Sequence, residues 1–391
     1  MFFQPERAHA SPYSTYRIQQ AVRHAEFASS PTQSPVQESR RAPPEICIGI
    51  PSVRREGVSY LKLALGSLQQ GLSAEERKRL HFVVLLAHME PKEHPDYGEP
   101  WLAGMVDKIA SYHDDEERRK LAQVMESQNH AVKSKFDYSI AMEECDKTGA
   151  PYILMIEDDV VFLDGWRHRT TAALNAATAK SWEIGHTDFL YLRLFYYEGL
   201  LGWNSESWPT YLGSSLAVTA IVLSSLILTR RFVAARAYLN NTVLILSTFV
   251  FTPLLIALFF LAGRNSMIPQ PTGVHIMDKY ACCGQGLVFP RSTVTRDLLP
   301  FFRINLWSNV STDSFIEQYA DETGALRWAL TPVVMQHVGG QSSHNGRRGD
   351  TYGPSHLWNF EFEGNDAAHL AEEHAKAQGQ SIDNVEIQLA V

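Results

Sequence analysis

The sequence predicts an α/β fold of the nucleotide-binding kind, interrupted by a transmembrane helical hairpin. Three observations carry this prediction. Glu45–Pro51 and His81–Ala87 are short apolar runs, and Tyr60–Leu72 between them repeats Leu61, Leu65 and Leu68 at helical spacing. Strand, helix, strand opens a fold that binds ligands at the C-terminal ends of its strands. Pro151–Leu163 is a second kind of signal, an apolar strand run broken by Glu157, Asp158 and Asp159. Finally, Tyr211–Thr229 and Thr242–Ala262 contain no charged residue. Each is close to the roughly 20 residues with which a helix crosses about 30 Å of hydrocarbon.

Taken in order, residues 1–45 are rich in Ser, Pro, Gln, Ala and Arg and hold no long apolar run, and they read as a disordered tail. Residues 46–209 form the first half of the domain. The loop after the first strand makes Pro51, Ser52 and Arg54, with neighbouring Arg55, candidates for nucleotide contact; a solvated basic turn is the rival reading. Trp101–Ala110 suggests a short helix and Asp114–Lys120 a solvated helix face. Phe136–Asp146 reads as an amphipathic helix ended by Gly149-Ala150-Pro151, with Lys133 and Lys135 upstream as diphosphate contacts or plain surface lysines. Trp166–Ala177 continues as helix and Phe189–Phe195 as strand.

Residues 210–263 are the hairpin, its two spans joined by a turn carrying Arg230, Arg231 and Arg236. Pro253 inside the second span is tolerable in a bilayer. Residues 264–363 resume the domain. Gly284 and Gly286 precede an apolar strand and permit close approach to a ligand. Ser292–Phe302 reads as a helix interrupted by Pro300. Another helix opens near Thr312, with Asp313 in its first turn and Ser314 and Glu317 at capping-box spacing. Leu330–Val338 is the last strong strand, and Gly339–Gly353 is a loop suited to closing over a phosphate-bearing ligand. Residues 364–391 read as a polar tail, a helix followed by a loose end.

A formal charge of −8 and the lack of a long basic run argue against a nucleic-acid binder. Cys47, Cys145, Cys282 and Cys283 show no Cys-x-x-Cys spacing, which argues against a zinc knuckle. A disulfide and four buried thiols both fit; the adjacent pair Cys282–Cys283 is expected to bond elsewhere rather than to itself.

The acidic strand end carries the chemistry. Three carboxylates between two apolar segments repel one another and resist burial, and a cation removes both problems. Mg²⁺ and Mn²⁺ prefer carboxylate and phosphate oxygens. The rival is an acidic turn closing a strand edge.

These residues also carry a resemblance. A strand ending in Glu157-Asp158-Asp159 resembles the metal- and nucleotide-sugar-binding motif of glycosyltransferases with the GT-A fold. Lys133–Met142, which contains Asp137, is similar to the helix preceding this motif in the N-acetylglucosaminyltransferase IV group. Gln336-His337-Val338-Gly339 with Ser342-Ser343 resembles the C-terminal strand and loop of the same enzymes. The hairpin inside the domain resembles the Golgi enzymes that add N-acetylgalactosamine to glycosylphosphatidylinositol (GPI) anchors. The resemblance spans residues 46–363 and implies a GT-A domain and a UDP-sugar donor, UDP-GalNAc. It implies as acceptor the mannose core of a GPI-anchored protein or GPI glycolipid at the membrane lipid.

With that resemblance, Asp158, Asp159 and His337 are expected to hold Mn²⁺ or Mg²⁺. Glu157 and Asp158 are expected to support the donor, together with Pro51, Ser52, Arg54, Lys133, Asp137, Gly284 and Gly286. Asp313 is the expected general base for inversion, with Glu317 in reserve; a helix cap is the rival role for Asp313 and a structural strand-end histidine for His337. An N-glycan branching enzyme like N-acetylglucosaminyltransferase IV, and a non-catalytic scaffold or lectin, are the rival functions.

The arginine turn places itself in the cytosol by the positive-inside rule, leaving both halves of the domain in the Golgi lumen. Asn309-Val310-Ser311 is then a glycosylation candidate, whereas Asn240-Asn241-Thr242 at the cytosolic turn stays bare. About 200 residues precede the first span, and translocating them calls for an apolar anchor upstream of Met1.

Overall fold

The computed structural model describes residues 10–28, 43–277, 283–340 and 357–379. It divides into two compact units, Met1–Tyr197 with Thr272–Val391, and Glu198–Pro271.

The first unit is a mixed α/β domain built on an eight-stranded sheet. Its strands are β1 (Ile46–Ser52), β2 (Leu80–Leu86), β3 (Lys108–Ala110), β4 (Tyr152–Ile156), β6 (Tyr191–Arg193), β7 (Gly273–Ile276), β8 (Gly286–Pro290) and β9 (Arg327–Thr331), in the order β3-β2-β1-β4-β8-β6-β9-β7. A separate two-stranded ribbon pairs β5 (Val160–Phe162) with β10 (Met335–His337). β3, β2, β1 and β4 run parallel, and β8 runs antiparallel to both β4 and β6. Every residue of β1 except Pro51 is buried, as expected for a near-continuous apolar strand covered on both faces. The helix His130–Asp146 packs Phe136, Ile140 and Met142 onto Val83, Leu85, Ile153 and Met155, and Cys47 in β1 is disulfide-bonded to Cys145 of that helix. Cys283 is disulfide-bonded too. Neither Cys47 nor Cys145 is left to take it, so the expectation that the adjacent pair bonds elsewhere finds no partner there; Cys282 lies outside the described residues.

Several local expectations are revised. Part of the supposed N-terminal tail is a helix, Pro12–Ala28, that buries Tyr13, Ala21 and Ala25 and the whole of Arg17. Arg17 donates to the carbonyls of Phe162 and Ser67, so the domain core reaches back to this segment. The helix lies against Leu61–Gln69 at Gly66, where a Cβ would come within 2.3 Å of the Ala21 carbonyl oxygen. A low-complexity composition hid this because the buried residues are small or polar. The single strand expected at Leu330–Val338 is split into β9 and β10 at Pro332, which has no N–H to give a ladder. The capping box expected of Ser314 and Glu317 is not formed; the helix Thr312–Thr323 has Ser311 at its N-cap, and Glu317 is engaged elsewhere. Ser342-Ser343 and the loop beyond Gly340 lie outside the described residues.

In the second unit two helices are long and apolar enough to cross a membrane, Trp208–Thr229 and Asn241–Ala262. None of the first helix is buried and only Thr248 and Thr252 of the second. Such helices suggest a membrane protein rather than a core pair, which would be buried. Pro253 is accommodated by a π turn at Ser247–Phe251: the carbonyl of Ser247 accepts from the Thr252 N–H and from the Thr252 hydroxyl at 2.7 Å. Trp203 packs against Phe259, Phe260 and Tyr211 and donates its indole N–H to the Phe260 carbonyl at 2.9 Å. Aromatic rings with one polar tip suit a membrane–water boundary.

Candidate metal centre at the sheet switch point

From β1 the chain builds outward to β2 and β3, then returns to place β4 on the opposite side of β1. Ligands of open α/β sheets lie beyond the strand C-termini at such a reversal. β1 ends there in Ser52 and β4 runs into Glu157-Asp158-Asp159. Two antiparallel pairings complete the site. Ile156 faces Gly286 across β4 and β8, which brings Gln285 beside Glu157. Val160 faces His337 across β5 and β10, which brings the imidazole onto Asp159.

Successive side chains near a strand point to opposite sides, and the three acids separate accordingly. Glu157 and Asp159 converge with His337, each offering a ligand atom within 4.8 Å of the others. His337 Nε2 lies 3.3 Å from Asp159 Oδ2 and 3.9 Å from Glu157 Oε2. Asp158 points away and accepts from Ser52 Oγ at 2.5 Å and from Arg55 at 2.6 Å. Among the described residues, the cluster that can hold a cation is therefore Glu157, Asp159 and His337, with Glu157 in the place expected of Asp158. The period-two alternation of a strand was the available signal.

The donor set suits a hard or borderline dication, two carboxylate groups and one imidazole. Two features of the described residues fit such an ion. Asp159 Oδ1 is buried with no hydrogen-bond partner. Gly339 follows the β10 end so closely that a Cβ would come within 2.1 Å of Asp159 Oδ2, so the backbone itself walls this oxygen. The electrostatics agree. Burial and the Asp159 charge push the Glu157 carboxyl up to about 7. Burial acts the same way on Asp159, but His337 and Arg55 outweigh it and hold that carboxyl well below the usual range. Burial opposes charge on His337, and Asp159 overcomes it, raising the imidazole. Asp158 is raised by burial, which Arg55 and Ser52 only partly offset.

Beneath Asp158 runs a hydrogen-bond chain that sequence reading missed. The Asp96 N–H donates to His94 Nδ1 at 3.2 Å, so His94 Nε2 carries the proton and donates to Ser52 Oγ at 3.0 Å. Ser52 in turn donates to Asp158. Burial, with His88 and Arg55, lowers His94 to about 4 and keeps it neutral. Arg55 bridges Asp158 and Asp159 and lies over the Tyr60 ring. The loop stretch was legible; which of its basic residues turns inward was not. Arg54 is exposed, its N–H donating to His88, and Pro51 is half-buried in β1.

The other predicted residues fall into two groups. Gly284 is near, its Cβ position 3.6 Å from Asp313 Cβ and 3.9 Å from Glu157 Oε1. Asp313 accepts from Ser311 and from the Ser314 N–H, and its charge is among those raising Glu157. Gly286 lies within β8, under Met335. Lys133 and Asp137 instead pair with each other at 3.1 Å, joined by the Tyr112 hydroxyl and the Ala87 carbonyl. Glu317 is held by Arg193 and Arg327 at 2.6 and 2.7 Å and by the Tyr191 hydroxyl. Arg193 also donates to the Cys283 carbonyl and so anchors the start of the Gly284 segment.

Fold and site together define a mixed α/β protein with two membrane-competent helices and a candidate divalent-metal centre at the sheet switch point. Over residues 46–336, about three-quarters of its length, the chain matches the family described as GPI-N-acetylgalactosamine transferase PGAP4, and it belongs to that family. Membership implies a glycosyltransferase acting on GPI anchors. No curated protein matches the chain.

Proposed function

We propose that this protein is a metal-dependent, inverting glycosyltransferase of the GT-A fold that moves N-acetylgalactosamine from UDP-GalNAc to a hydroxyl of the GPI mannose core. The observation that carries this reading is the Glu157–Asp159–His337 cluster at the switch point of a chain in a GPI transferase family. Those three residues would hold Mn²⁺ or Mg²⁺, which supplies Lewis-acid neutralisation of the leaving diphosphate. Asp158, fixed by Ser52, orients the donor's ribose or phosphate side, with Pro51 and Arg54 as further donor contacts. Gly284 leaves room for the sugar between Glu157 and Asp313.

Asp313 takes the proton of the acceptor hydroxyl as that oxygen bonds to the anomeric carbon and the carbon–phosphate-oxygen bond breaks. It is half-buried and lies across the Gly284 position from Glu157, whereas the oxygens of Glu317 are committed to two guanidinium groups and suit it to support. The Cys47–Cys145 disulfide supports a Golgi-lumenal domain, since disulfides persist in oxidising compartments. The exposed Asn309 is then open to glycosylation, and the arginine turn is cytosolic. The family match supports a GPI acceptor over an N-glycan. Purified protein supplied with UDP-GalNAc, Mn²⁺ and a GPI glycan should yield a HexNAc-extended product. Extension of N-glycans with GPI glycans untouched would overturn the reading.

A further inference from the structure

We propose that Arg55 is a tethered counter-cation of the acid cluster, exchanged for the divalent ion at Asp159, so that this one side chain sets how tightly the site takes its metal. The inference rests on the reading of Glu157, Asp159 and His337 as metal ligands. Two buried carboxylates, Asp158 and Asp159, beside the half-buried Glu157 need positive charge whether or not a metal is bound. Arg55 supplies it, with one guanidinium nitrogen 2.6 Å from Asp158 Oδ1 and another 3.1 Å from Asp159 Oδ2. Asp159 Oδ2 is also the oxygen that His337 approaches, so guanidinium and candidate metal site share one carboxylate. A dication ligated by Asp159 would stand within a few ångströms of the guanidinium, and like charges that close repel strongly. The contact to Asp159 is the longer and therefore the weaker of the two.

The means of retreat is local. Arg55 sits on a tight loop where it bridges to Val58 and where Gly57 adopts φ 75°; Arg54, Glu56 and Gly57 are exposed. The loop can let the side chain go without disturbing β1. Asp158 keeps its Ser52 bond when Arg55 leaves. The displaced guanidinium would then stand at the mouth of the crevice, where planar bidentate donors suit phosphate oxygens.

The test is MnCl₂ binding to the metal-stripped full-length protein in detergent, read from the electron paramagnetic resonance of free Mn²⁺. Arg55→Gln should bind Mn²⁺ at least tenfold more tightly than the parent, Arg55→Lys should stay closer to the parent, and Asp159→Asn should not bind. In the unmutated protein, saturating Mn²⁺ should raise the phenylglyoxal labelling of Arg55, mapped by peptide mass spectrometry; this readout needs no variant to fold. If the parent binds Mn²⁺ through Asp159 but Arg55→Gln binds no tighter, or Arg55 labelling does not rise, the exchange is wrong and the metal site stands. If neither the parent nor Arg55→Gln shows saturable binding, the metal reading itself fails and the exchange falls with it.

Discussion

Two histidines in this domain each face two carboxylates, and the environments differ in one respect. His374 uses both ring nitrogens, 2.6 Å from Asp164 and 3.2 Å from Glu76. Glu76 is further tied to Ser73, Gln378 and Arg167, so every charge has a counterpart at close range. The His337 imidazole lies 3.3 and 3.9 Å from two acids, an oxygen of Asp159 is left without a partner, and a third carboxylate stands alongside. The consequence appears in proton affinity. Glu76, despite its burial, is drawn down to about 2 by His374 and Ser73, while Glu157 is pushed up to about 7. The same residue types make a clasp where charges balance and a ligand site where acids are in excess.

The largest effect should separate the two clusters outright. Asp159→Ala should lower transfer by about 1,000-fold or more, with the protein still folded in chelator but its melting temperature reduced, because the pairs with Arg55 and His337 are lost. A variant that retained activity would dissolve the contrast. Next in size, Asp313→Asn should reduce kcat by about 100-fold with little change in KM for the donor, the loss of a positioned base. Glu317→Gln should instead cost about 2 kcal/mol of stability by leaving buried Arg193 under-compensated, with the kcat of folded enzyme retained. If the two variants exchange these phenotypes, Glu317 is the base.

On the clasp side, His374→Ala should cost about 3 kcal/mol, since it strands two carboxylates of which Glu76 is buried. Denaturant melts should show the loss, with kcat of the folded fraction unchanged. The smallest and most graded effect is in pH. Burial opposes charge on His374, but its bonds to Asp164 and Glu76 outweigh it and raise the imidazole from 6.5 to about 9. A raised histidine stabilises fully below pH 6.5 and loses that contribution as pH rises through about 9. Glu76, and Glu373 on the same helix as His374, which Arg169 and His168 hold near 2, stabilise above about 4.5 and lose it as pH falls through about 2. Amide exchange of the helix Ala367–Ala377, corrected for intrinsic rate, should therefore quicken between pH 6.5 and 9. Flat protection over that interval would mean that packing, not the histidine, holds the helix.

Much of this molecule is legible in one dimension. An uncharged run of helix length is apolar whatever surrounds it, so both candidate spans were readable at Tyr211–Thr229 and Thr242–Ala262, and the helices extend them by only a few residues. Strand β1, strand β2 and the acidic end of β4 were readable for a similar reason: continuous Ile, Leu and Val require burial, and carboxylates that interrupt them require compensation. What tertiary structure decided was partnership. The register of β10 on β5 delivers His337 to Asp159 from across the chain, and strand alternation turns Asp158 toward Ser52 and Arg55 while Glu157 joins the cation cluster. Arg17 and His94 are polar residues in polar stretches, and Glu317 matches a capping pattern; nothing local marks the first two as buried or the third as bound to Arg193 and Arg327. Sequence determines which groups cannot be left in water or left unpaired, because that depends on each residue's own chemistry. The partner that satisfies them depends on which distant segments the sheet order brings together, and that is fixed only when the chain has folded.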